Sequence, residues 1–203
     1  MGTVSTNRPL YRLHELAYRT QYAEVKERAN VAGDLLPGTP GALYKRTGTG
    51  HSYWYRVYYP LPGKQAEDFV GPADDDTAYK VMLERVAHAE WTSRQVADLR
   101  KLGYQVADKG VANILVELHN RRVFDAGLAV VGTLCYMSWL NEYGAMAVAV
   151  RTQDVDLARR QRLKLAASVP FLSSMQATRL PFKTVPGTPS HAPSTSVKLP
   201  GQS

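Results

Sequence analysis

The run Tyr53-Trp54-Tyr55-Arg56-Val57-Tyr58-Tyr59 is almost wholly aromatic and β-branched, and it fits a pleated strand far better than a helix. Turn residues bracket it. Gly48-Thr49-Gly50 precedes it, and residues 60–64 contain two prolines and a glycine. Residues 42–47, 51–59 and 65–70 therefore read as a three-stranded antiparallel meander that ends at Gly71-Pro72. Alternation puts Tyr53, Tyr55, Val57 and Tyr59 on one face and Trp54, Arg56 and Tyr58 on the other. Both faces carry rings, so both are expected to be covered, by a first helix and by helices after Asp76. If the rings were open, they could stack on nucleic-acid bases, helped by Arg56 and Lys64.

Helical spacing surrounds this meander. Thr6 or Asn7 caps a first helix, with Pro9 in its first turn, Leu10, Leu13, Leu16, Ala17, Val25 and Ala29 along it, and Gly33 as its stop. Asp74-Asp75-Asp76 suits a helix start, where carboxylates complement the dipole. Val81, Met82, Val86 and Ala89 carry that helix to Trp91. A separate helix is expected over 93–102, ending at Gly103, and another over 109–120 with Val111, Ile114, Leu115 and Leu118 inward. Beyond them come an apolar strand, 128–131, a helix, 134–143, in which Tyr136, Trp139 and Cys135 are expected in the core, and a second strand, 148–157. The fold class is α+β. Three regions are expected: 1–73, first helix and meander; 74–122, helical; 123–203, strand, helix and strand with a Pro/Ser-rich tail.

Composition narrows the function classes. A single cysteine, Cys135, excludes an internal disulfide framework and fits a reducing, cytoplasmic setting. The uncharged run 126–141 is too short and too glycine-interrupted for a membrane span, so no membrane partner is expected. The net charge of +7 is unevenly spread: up to Asp156 the bases balance the 18 acids, and all of the excess follows it. Arg159, Arg160, Arg162 and Lys164 in that stretch favour phosphate-rich partners, or form a solvated face. The sequence holds no Walker loop, no Gly-x-Ser-x-Gly elbow and no paired histidines.

Two elements carry chemistry. Val130-Val131-Gly132-Thr133 is an apolar strand running through a small pair into a helix, whose first N–H groups can cradle phosphate. Glycine there lets a ligand approach the backbone. Thr152-Gln153-Asp154-Val155-Asp156-Leu157 places Asp154 and Asp156 on one strand face, where they could share magnesium, or simply lie on a surface strand. Asp74-x-Asp76 repeats the spacing and reads as helix-start charge. Thr152 and Arg151 border the pair.

On these residues, Leu128-Ala-Val-Val-Gly-Thr133 and Thr152-Gln-Asp-Val-Asp-Leu-Ala158, the chain resembles bacterial nucleotidyltransferase-fold proteins of the DNA polymerase beta-like superfamily. An aromatic hairpin followed by a helical segment, as here, looks like one branch of it. The resemblance covers roughly residues 40–200. It implies a partial mixed nucleotidyltransferase sheet. It implies that Gly132 and Thr133 contact the triphosphate of an NTP and that Asp154 and Asp156 hold two Mg2+ ions. The activity implied is transfer of an NMP from the NTP to an acceptor hydroxyl on RNA, protein or a small molecule. Members carry a third acidic residue on a later strand. After Asp156 this sequence has no Asp or Glu, so the chain is expected to stop short of that strand and to be inactive or impaired. The alternative is a non-catalytic nucleic-acid-binding module that uses the basic C-terminal segment and the aromatic hairpin. A further reading is a truncated, poorly stable product.

Overall fold

The computed structural model describes residues 11–159, together with Gln176, Thr178, Lys183–Thr184 and Val197–Lys198. The elements run β1 (Arg12–Leu13), α1 (Leu16–Val31), β2 (Ala42–Gly48), β3 (His51–Leu61), β4 (Lys64–Pro72), α2 (Asp76–Lys101) and α3 (Lys109–Asn120). After them come β5 (Leu128–Val130), α4 (Gly132–Glu142), β6 (Ala145–Met146), β7 (Leu157–Arg159), β8 (Lys183–Thr184) and β9 (Val197–Lys198). Helices and small antiparallel sheets alternate along the chain, and the fold is α+β. No helix among the described residues is long and apolar enough to cross a membrane.

The meander forms in the order β2-β3-β4. Tyr44 pairs with Tyr55, and Tyr55 with Phe69. Its two faces meet different fates. On one, Arg56 and Tyr58 are buried, and the Trp54 ring lies 4.5 Å from that of Tyr79 on α2. Gly71 lets α2 come close, since a Cβ there would sit 3.1 Å from the Ala78 Cβ. On the other face, Tyr44, Tyr59 and Phe69 are exposed, while Tyr53, Tyr55 and Val57 are half-buried. For the described residues, the expectation that both faces are covered is thus corrected. The helices pack on one side of a small sheet, and one layer suffices to bury Arg56, Tyr58 and Ala66.

The loop before β2 lies flat on β3. Gly38 and Gly41 adopt left-handed backbone angles, and a Cβ at Gly41 would meet the Val57 carbonyl oxygen at 2.5 Å. Arg56 ties this loop down. Its Nε donates to the Pro40 carbonyl (3.0 Å), and its Nη2 donates to the carbonyls of Pro37 (2.6 Å) and Thr39 (3.0 Å). Its Nη1 donates to Asp68 Oδ2 (2.9 Å), and the guanidinium stacks 3.9 Å from the Tyr58 ring centre. Arg56 is therefore a buried structural tie, unavailable to a nucleic acid.

The helices depart from expectation in three ways. Residues 1–10 lie outside the described residues, so Thr6, Asn7, Pro9 and Leu10 do not enter. The chain runs as β1 before α1 starts at Leu16, and none of α1 is fully buried. The two helices expected after Asp76 are one continuous helix, because Thr92-Ser93 offers side-chain oxygens but no Gly or Pro to break it. Its start is capped by Asp75 Oδ1, which accepts from the N–H groups of Thr77 and Ala78. On α4, Leu134 and Met137 form the buried stripe. Tyr136 (52% exposed) and Trp139 (62% exposed) lie on the opposite face, and Cys135 is half-buried, so the expectation of core positions for these three is corrected.

Polar ties join the parts. Asn113 accepts from the Gly38 N–H and donates to the Pro60 carbonyl. Asn141 pairs with both backbone groups of Gln105, and Asn120 with both of Leu35. β1 pairs antiparallel with β6.

His14, just after β1, is buried and stacks on Tyr104 with ring centres 3.9 Å apart. Its Nε2 has no hydrogen-bond partner among the described residues. Burial holds its pKa below the ordinary 6.5. The unfolded chain therefore takes up a proton that the folded chain resists. The stability contributed by neutral His14 is complete above pH 6.5 and is lost as pH falls from there towards the lower folded value. A melting series from pH 7.5 to 5 should show a larger drop in Tm for wild type than for His14→Phe, which keeps the stack and loses the titration. Equal drops would mean that His14 is not held neutral.

Candidate functional site

β5 and β7 pair antiparallel, Val130 opposite Leu157. The ladder continues one step, with the Val131 N–H donating to the Asp156 carbonyl at 2.9 Å. That bond sets the start of α4 beside Asp156. The sequence predicts a strand over 148–157; the observed strand begins at Leu157, and the two carboxylates lie on the extended segment leading into it. β5 is short and gives way to α4 at Gly132, so little partner strand remains for residues before Asp156. Among the described residues the expected mixed sheet is this one antiparallel pair.

Val155 determines where the carboxylates point. It packs against both apolar clusters, one built on Ile114, Leu118 and Val123, the other on Val111, Leu134 and Met137. Its neighbours alternate outward, and Asp154 and Asp156 are both exposed. Thr152 Oγ1 accepts from the Asp154 N–H at 3.1 Å, which fixes the backbone ahead of the pair.

Gly132 meets Asp156 directly. Its φ of +66° is left-handed, and a Cβ placed on it would lie 2.5 Å from Asp156 Oδ2 and 3.3 Å from Cγ. The backbone angle favours glycine there, and a side chain at this position would have to push the exposed Asp156 carboxylate aside. Gly132 and Thr133 are the first two residues of α4, which starts two residues earlier than the sequence predicts. Val131 holds the cap position and offers no side-chain acceptor to the first turn, unlike Asp75 on α2. The helix thus presents first-turn N–H groups without a side-chain cap next to the Asp156 carboxylate. Arg151 and Arg159 flank the segment and are exposed. Arg160, Arg162 and Lys164 lie outside the described residues, as do the other residues after 159 apart from the six named above.

No group of three or more His, Cys, Asp or Glu side chains that could hold a metal comes together among the described residues. Two outward carboxylates still suit Mg2+, which binds through one or two carboxylates and completes its shell with water and substrate phosphates. Comparison with family models, curated proteins and solved structures gives no match.

The structure therefore brings together Gly132, at the start of α4 with Thr133 next to it in the chain, and Asp156 from a separate part of the sequence; Asp154, two residues earlier, is exposed. What sequence reasoning missed is the open sheet face and the cation on it. The Arg46 guanidinium lies 5.3 Å from the Tyr55 ring centre and pairs with Glu67. The cross-strand register of β2 and β3 carried that signal, since Arg46 opposes Tyr53.

Proposed function

We propose that this chain is a metal-dependent nucleotidyltransferase that moves an NMP from an NTP to an acceptor hydroxyl. The observation that carries this reading is the juxtaposition of Gly132 with Asp156. A glycine at a strand-to-helix turn and a helix start without a side-chain cap lie against the Asp156 carboxylate, with Asp154 two residues before it in the chain. The backbone N–H groups at Gly132 and Thr133 would hold the β- and γ-phosphates, favoured by the helix dipole. Asp154 and Asp156 would hold Mg2+ against the same phosphates. When bound, magnesium neutralises phosphate charge and aligns the reacting oxygens. In the transfer, the acceptor hydroxyl would give up its proton to solvent water, its oxygen would bond to the α-phosphorus, the bond from that phosphorus to the bridging oxygen would break, and pyrophosphate would leave. The single cysteine supports a cytoplasmic setting.

The test uses α-labelled NTP, magnesium and a cell extract as the source of acceptor. Wild type should bind the NTP with magnesium and transfer label slowly, since no third carboxylate joins the pair among the described residues. Asp154→Asn and Asp156→Asn should each reduce transfer by about 100-fold or more, the scale of losing one electrostatic partner of a transition state. Circular dichroism should be unchanged, because both side chains are exposed. Equal labelling by all three proteins, or no NTP binding by wild type, would remove the assignment.

A further inference from the structure

The open face of the β2-β3-β4 sheet presents aromatic rings in cross-strand register. Tyr44 opposes Tyr55, and Tyr55 opposes Phe69. Tyr53 lies one step along the same face, its ring 5.8 Å from that of Phe69. Tyr44 and Phe69 are more than half exposed. Rings two residues apart on a strand are separated by roughly 6.8 Å, a step the bases of an extended strand can follow. Next to them is an open groove of about 580 Å³, lined by Tyr44, Lys45, Arg46, Val57, Tyr59 and Gln65 among others.

We infer that this face binds single-stranded RNA. Aromatic rings stack on bases whatever their identity, and flanking cations follow the backbone. Lys45, on the edge strand opposite Trp54, reaches the groove, and Lys64 sits at the turn from β3 to β4. Arg46 and Glu67 pair with each other on this face, and their charges offset. The two lysines have no ion-pair partner among the described residues, so the groove carries a net positive charge, which suits a polyanion better than an apolar peptide. Four of the five rings are tyrosines, and the hydroxyls of Tyr44, Tyr53, Tyr55 and Tyr59 make no hydrogen bond to other described residues. They can donate to and accept from a ribose 2′-hydroxyl, which is what distinguishes RNA from DNA at a site. This inference does not rest on nucleotidyl transfer, because binding is read without NTP.

The test is fluorescence anisotropy of a labelled RNA of about 12 nucleotides, within the usual span of such sites, titrated with the full chain. Tyr44→Ala and Phe69→Ala should each weaken binding by about 5- to 100-fold, the usual cost of one lost stacking platform. Lys45→Ala should weaken it and reduce the salt slope by about 0.7. Trp139→Ala, which removes an exposed ring on α4, should leave affinity unchanged. A DNA strand of the same sequence should bind at least about 5-fold more weakly. Absence of RNA binding would overturn the inference. So would binding indifferent to Tyr44 and Phe69, or equal affinity for DNA. Sedimentation showing a wild-type dimer that Tyr44→Ala dissolves would overturn it too, by making the face a contact between copies.

Discussion

Arg56→Ala is expected to destabilise the fold by about 3–5 kcal/mol, the usual cost of breaking one side of a buried, hydrogen-bonded charge pair. Arg56 has no exposed surface, and it serves three carbonyls of the 37–40 loop as well as Asp68. Removing the guanidinium strands those acceptors beneath a loop that lies on the β3 backbone. It also leaves a cavity against Tyr58. Arg56→Lys should recover only part of the loss, because one ammonium cannot reach in three directions as the planar fork does. Asp68→Asn should cost less than either, since Asp68 is a third exposed and the three carbonyl bonds survive. Urea unfolding of the variants measures the ranking. If Arg56→Ala melts with wild type, the loop is not held by this residue. Burial pulls the Arg56 pKa down and Asp68 pulls it back, so the group stays charged across the accessible pH range.

The meander was legible because every signal agreed: alternating rings, β-branched residues and glycine or proline turns at both ends. The third helix was legible for the same reason, its apolar residues falling on one clean stripe. α1 and α2 were harder. Their polar and apolar residues mix around the helix, and α2 buries only Val86 and Leu99 fully, so no pattern in the sequence marks where it continues through Thr92-Ser93. The core was misjudged on α4 because Tyr136 and Trp139 are apolar enough for either side. Only packing against Val111 shows that Leu134 and Met137 turn inward. The ties through Asn113, Asn120 and Asn141 span 36 to 85 residues of chain, and no local spacing announces them. At the candidate site, the spacing puts Asp154 and Asp156 on one face of a strand; both are exposed, but the strand itself begins only at Leu157. The contact between Gly132 and Asp156 is long-range, and it depends on the β5–β7 register.

That contact makes Gly132→Ala the sharpest probe of the site. The added methyl must adopt a left-handed backbone angle, which costs about 1–2 kcal/mol for a residue with a Cβ. It must also displace the Asp156 carboxylate, because 2.5 Å between Cβ and Oδ2 is far inside van der Waals contact. Asp156 is exposed and can swing away, so the protein should still fold, with a modest loss of stability. NTP-dependent labelling should nevertheless fall about as far as in Asp156→Asn, since the carboxylate no longer faces the helix start. The double variant Gly132→Ala/Asp156→Ala separates the two effects. Truncating Asp156 removes the clash and leaves only the backbone strain. Residues in contact couple by about 0.5–3 kcal/mol, so the double variant should be more stable than the sum of the single losses while remaining inactive. Strict additivity in melting would show that the two residues do not touch. Full labelling by Gly132→Ala would show that they touch without forming a site.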